Sequence, residues 1–169
     1  MAKLNANYGY GQIELNQVAF RRDGRIEAQC KIADGIDYIE NGMILAVDPV
    51  KHTVGFSAAN TGLYALNYTT EHRYDERDIG LKTFKLDKNT FLPRLGYLAT
   101  GDKFTTNTVE DNDIDVKESL VAGTAVYGEP SGDGYIALTT TKPTGSVALQ
   151  VVEYTTMPDG APAIKFIAL

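Results

Sequence analysis

Tryptophan is absent, cysteine occurs once, histidine twice, and 16 Lys and Arg stand against 22 Asp and Glu in a chain of 169 residues. The single Cys30 excludes an internal disulfide. Its alternating neighbours Ala28 and Ile32 mark it as a small core hydrophobe, with Lys31 on the opposite face and no fixed cation to activate a thiolate. Two histidines far apart in sequence, with no cysteine beside either, give zinc no ligand set. The net charge of −6 removes the electrostatic reason to bind phosphate backbones or anionic lipid. Arg21, Arg22 and Arg25 cluster at a turn signal but are interrupted by Asp23. The longest clean apolar run is Met43–Val47, far below the roughly 20 residues of a membrane span. No apolar stretch follows Met1, so no secretory signal is expected and the chain is read as soluble and made in the cytoplasm.

Catalytic patterns are also scarce. His52 lies in the turn Asp48-Pro49-Val50-Lys51-His52, where a solvated imidazole is the ordinary case. His72 sits in Glu71-His72-Arg73-Tyr74-Asp75-Glu76-Arg77-Asp78. A histidine among carboxylates suits acid–base or metal chemistry, but a run of both signs reads more simply as an exposed ion-pair loop. Asp111-Asn112-Asp113-Ile114-Asp115 imitates a calcium loop, yet the glycine after the third ligand is missing and Ala122 replaces the bidentate glutamate. Gly9-Tyr10-Gly11 and Gly132-Asp133-Gly134 do not lead from a strand into a helix, as a phosphate cradle requires. No serine stands in a nucleophile elbow. No catalytic residue, no cofactor and no metal ligand is assigned.

What is present favours strands. Hydrophobic residues make up 43% of the chain, with 10 Tyr and 6 Phe, and a chain of this length buries roughly 70% of its unfolded surface. Tyrosines and β-branched residues suit pleated, half-buried surfaces. Residues 1–11 show no period and read as an extended N-terminal arm. Alternation begins at Ile13 and is punctuated by Arg22-Asp23-Gly24. A three-residue loop there, with Gly24 left-handed, would set Phe20 opposite Ile26 and Val18 opposite Ala28, placing the apolar set on one face. Asp34–Asn41 is predicted as a short helical turn closed by Gly42. Met43–Val47, Thr53–Phe56, Gly62–Tyr68, Lys82–Leu86, Arg94–Thr100, Leu120–Tyr127, Gly134–Thr140, Ser146–Tyr154 and Ala163–Ala168 are the further strands. Gly128-Glu129-Pro130-Ser131-Gly132-Asp133-Gly134, Lys142-Pro143-Thr144-Gly145 and Pro158-Asp159-Gly160 are turn signals between them.

The fold class expected is mainly β, a sandwich or β-tulip/barrel-like domain of short antiparallel strands with the N-terminal arm. Residues 12–106 would form its first part and 107–119 an acidic connector. Residues 120–169 would complete the domain or form a small subdomain.

Asn41-Gly42-Met43-Ile44-Leu45-Ala46 with Thr53-Val54-Gly55-Phe56 resembles the opening of β-tulip-like auxiliary head proteins of tailed bacteriophages. Phe91-Leu92-Pro93-Arg94-Leu95, Gly101 to Asn107, and Leu149 to Phe166 resemble structural proteins of phages of Gram-positive hosts. The resemblance covers about residues 40–169, at the level of pattern. It implies a capsid decoration (cement) protein on the virion head surface. Its partners would be the major capsid protein and further copies of itself, as a dimer or trimer, with no nucleic acid and no membrane. A tail-tube or head-fibre-base protein is the first alternative, a carbohydrate-binding β-sandwich module the second. Leu4, Tyr8 and Tyr10 of the arm, with Arg73, Tyr74 and Arg77 of the charged loop, are the candidate partner contacts, since tyrosine and arginine give large contact area.

Overall fold

A computed structural model describes residues 1–56, 62–71, 83–115, 125–145 and 147–169. The protein is mainly β, with two large sheets and a two-stranded ribbon. The first sheet has seven strands: β1 (Ile13–Gln17), β10 (Lys103–Thr106), β15 (Pro162–Ala168), β14 (Leu149–Thr156), β12 (Tyr127–Pro130), β13 (Ile136–Thr139) and β11 (Val109–Glu110), neighbours in that order. The second has six: β2 (Ile26–Glu27), β9 (Leu95–Gly96), β7 (Tyr64–Asn67), β5 (Ile44–Asp48), β6 (Thr53–Gly55) and β3 (Lys31–Ile32). The ribbon pairs β4 (Tyr38–Ile39) with β8 (Leu86–Asp87). Most pairs are antiparallel, but β11–β13 and β3–β6 are parallel, so the large sheets are mixed rather than purely antiparallel.

The apolar run Met43–Val47 explains the layering. A strand buried on one face alternates, whereas one buried on both is continuously apolar. In β5, Ile44 enters the core shared with the seven-stranded sheet, beside Leu66, Phe104, Ile136, Leu149 and Phe166. Leu45 and Val47 point the other way, into a second core with Cys30, Ile32, Ile39, Leu86 and Leu95. The six-stranded sheet is therefore a middle layer, covered on its far side by the β4–β8 ribbon and adjoining loops.

The hairpin expected around Gly24 does not form. Gly24 is left-handed, with φ 69°, but it caps α1 (Phe20–Asp23), the one helix among the described residues. β1 pairs with β10 and β2 with β9, so the chain crosses from one sheet to the other at this helical turn. The turn carries the fully buried Phe20 ring against Tyr68, with centroids 5.1 Å apart. A Cβ on Gly96 would overlap that ring. Burial of Phe20 between the sheets outweighs the local hairpin signal.

Other expectations shift for similar reasons. Asp34–Asn41 holds a turn and β4 instead of a helix, while Gly42 is left-handed as expected, with φ 84°. Gly128 to Pro130, read as turn, lies in β12, because the glycine lets Ile136 and Phe166 approach its backbone. Asn107 to Glu110, read as the start of a solvated connector, are buried and lead into β11. Residues 1–11 include turns and backbone contacts to the body: Leu4 N–H donates to Val109 O, and Lys3 forms an isolated antiparallel β-bridge with Glu110.

Candidate functional site

A buried polar seam fixes the N-terminal segment. The Asn107 carboxamide accepts from Gln12 N–H at 2.7 Å and donates to Gln12 Oε1 at 2.9 Å and Tyr10 O at 3.3 Å. Thr106 Oγ1 donates to Gln12 O, and Thr108 Oγ1 to Asn41 O. Gly11 and Gly42 close the seam: a Cβ on Gly11 would lie 2.6 Å from Asn41 O, and one on Gly42 would overlap Thr106 Oγ1. These groups satisfy one another, which is the arrangement of a structural joint.

Beside the seam lies one of the three buried carboxyls among the described residues, with Asp102 and Glu110. Glu40 is 4% exposed. It accepts from Asn5 Nδ2 at 3.2 Å and faces Lys85 Nζ at 3.7 Å. Burial pushes its pKa up, and Lys85, the Gly11 N–H and Lys3 offset only part of that. Lys85 lies 3.8 Å over the Tyr38 ring and Lys3 3.7 Å over Tyr135, while Lys3 also pairs with Asp133 at 2.7 Å. The Tyr135 hydroxyl is raised by burial, with Glu40 adding to it. The cluster clamps Lys3 and Asn5 onto the body.

A cleft of about 750 Å³ opens where the two sheets expose their edges. β1 ends the seven-stranded sheet and β2 the six-stranded one. Ile13 and Leu15 of β1 and Ile26 of β2 line it with Arg21, Asn41, Tyr68, Thr69, Thr70, Glu71 and Arg94. Asn41 is 2% exposed, and its Oδ1 has no hydrogen-bond partner; nor has the buried Tyr68 hydroxyl. The Asn41 amide supports the Glu71 carboxyl, whose pKa burial nevertheless raises. Burial also raises the Tyr68 phenol, with Arg94 and Arg21 opposing it.

The longest strand presents a different surface. β14 pairs with β15 along its length but with β12 only at Leu149 and Gln150. From Val152 to Thr156 its other edge meets no strand among the described residues. The register slips by one residue at Val152, a bulge, and Val152 and Tyr154 are 48% and 37% exposed. Glu153 pairs with Lys165 across the hairpin. The hairpin end is fixed: Met157 N–H donates to Ala161 O, and Gln12 Nε2 to Asp159 Oδ2 at 3.0 Å.

Of the residues singled out from sequence, Leu4 packs on the main core and Tyr10 is 7% exposed, accepting from Gln12. Tyr8 is the accessible one of the three, at 39%. His72, Arg73, Tyr74 and Arg77 lie outside the described residues. Asp113 accepts hydrogen bonds from Thr139 Oγ1 and from the Thr140 N–H and hydroxyl. Among the described residues no three His, Cys, Asp or Glu are grouped to hold a metal, and no helix is long and apolar enough to cross a membrane. Sequence reading missed the cleft and the stretch of β14 that meets no strand among the described residues, since both depend on which strands become neighbours in the sheets. The uninterrupted eight residues of β14 were the one available sign. Searches against protein-family models, curated proteins and solved structures found no match.

Proposed function

We propose that this protein is a structural component of a tailed-phage virion, a decoration protein that lies on the head surface and stabilises the lattice through contact area. The observation that supports this reading is β14: a hairpin strand whose outer edge from Val152 to Thr156 meets no strand among the described residues and carries two exposed apolar side chains. A free strand edge is a template for adding a strand from a partner. Here the partner is the major capsid protein, or a neighbouring copy in a dimer or trimer. Tyr154 supplies a large, stiff anchor, and a preformed hairpin loses little entropy on docking. Repetition over a lattice multiplies a modest interface. The acidic net charge of −6 keeps unassembled copies away from DNA.

The test is reconstitution on mature heads lacking this chain. Wild-type protein is expected to co-sediment with heads and to appear in cryo-EM density on the outer surface with β14 at a protein contact. Tyr154→Ser with Val152→Asp should weaken binding about tenfold or more, the loss of roughly 1.4 kcal/mol or more of hot-spot energy. Polymerisation of the purified chain into tubes, or density in the tail, would reject the head location.

A further inference from the structure

We propose that the cleft between β1 and β2 is a docking site for an extended, acidic peptide segment of a protein partner. This goes beyond the reading given above and does not depend on it, because the cleft is separate from the β14 edge.

Three observations point to that ligand. First, the cleft holds two buried polar atoms that nothing satisfies, Asn41 Oδ1 and the Tyr68 hydroxyl. A buried acceptor without a donor has lost its water and gained nothing in return, and a peptide N–H supplies the missing donor. Second, the walls are the edge strands of both sheets. β1 has five residues, so it offers about 17 Å of strand edge to a chain laid alongside it. Ile13, Leu15 and Ile26 give alternate apolar side chains of such a chain a surface to cover. Third, the charge is local and opposite to that of the whole molecule. Arg21 and Arg94 line the cleft, and Arg25, next to Ile26, keeps Nε and Nη2 buried without partners. Among the described residues that line the cleft, Glu71 is the one carboxylate. A small organic anion would meet the guanidinium groups and leave the isoleucines and leucine uncovered. An extended peptide with carboxylates on one side and apolar groups on the other meets all three sets.

The experiment is an amide NMR titration of the full chain with three synthetic peptides of about ten residues, the strand length of a usual sheet partner. One alternates Val with Asp, one Val with Lys, and one repeats the Val–Asp sequence with alternate backbone amides N-methylated. The Val–Asp peptide is expected to saturate and to shift amides in β1, β2 and Thr69–Glu71. The Lys and N-methylated peptides should bind about tenfold more weakly or worse. The double reversal Arg21→Glu with Arg94→Glu, both on exposed residues, should switch the preference to the Lys peptide while amide dispersion shows the fold intact. The proposal fails if the acidic peptide does not saturate at millimolar concentration, or if N-methylation makes no difference. It also fails if the reversal leaves the preference unchanged, or if a neutral oligosaccharide such as cellohexaose saturates the same amides in place of the peptides.

Discussion

At the scale of residues, the groups with the strongest chemical potential are used to hold the chain together. Glu40 shows this most directly. Its carboxyl is buried with Lys85, Lys3, Asn5, Tyr38 and Tyr135 around it, and burial raises its pKa above the ordinary 4.5. The folded state then retains a proton that the unfolded chain has already released. Glu40's contribution to stability is therefore most favourable below pH 4.5 and declines as the pH climbs toward its folded value. Asp133 acts in the other sense: burial alone would raise it, but Lys3 and Ser131 hold it below 3.8, so its contribution is lost only in stronger acid. Urea titrations between pH 4.5 and 7 should show stability falling as pH rises. Glu40→Gln, which keeps an acceptor for Asn5, should flatten that slope, leaving a smaller one from the half-buried Glu71. An unchanged slope would mean that Lys85 neutralises the burial cost.

At the scale of elements, burial separates strands that look alike in composition. β5 is apolar on both faces because it runs through the middle layer, whereas β14 is long and largely exposed beyond Gln150. Leu45→Ala should cost about 2–5 kcal/mol, as large-to-small changes in packed cores do. Val152→Ala should change stability by less than about 0.5 kcal/mol, because the side chain packs on little. Denaturant midpoints of the two variants measure the difference. Equal effects would contradict the assignment of β5 to a double-sided layer and of Val152 to an exposed face of β14. α1 belongs to this scale as well. Its four residues could not persist alone, and Phe20 wedged against Tyr68 and Gly96 supplies what local hydrogen bonding does not.

At the scale of the whole molecule, two hydrophobic cores share one middle sheet, and the chain should unfold as a unit. Cys30 reports on this. It lies in the core beneath the β4–β8 ribbon, 1% exposed, and burial pushes its thiol up to about 11. A thiol reagent at mildly alkaline pH should therefore label native protein only through opening. Phe166 lies in the other core. Phe166→Ala should cost about 3–5 kcal/mol and speed Cys30 labelling about a hundredfold or more if the two cores open together. Labelling indifferent to that substitution would show that the cores melt separately.

The β class, the strand at Met43–Val47, the buried Cys30 and the left-handed glycines at 24 and 42 were legible in the sequence, because each is set by the residue and its near neighbours. The hairpin at Gly24 was misread because its local signal is real but Phe20 finds a better place between the sheets. Tertiary structure alone decided that β1 lies beside β10, that β15 separates β10 from β14, and that β1 and β2 end their sheets. Those pairings join backbone groups that are the same in every residue, so only side-chain packing across the layers selects among them. The cleft, and the stretch of β14 that meets no strand among the described residues, follow from that selection.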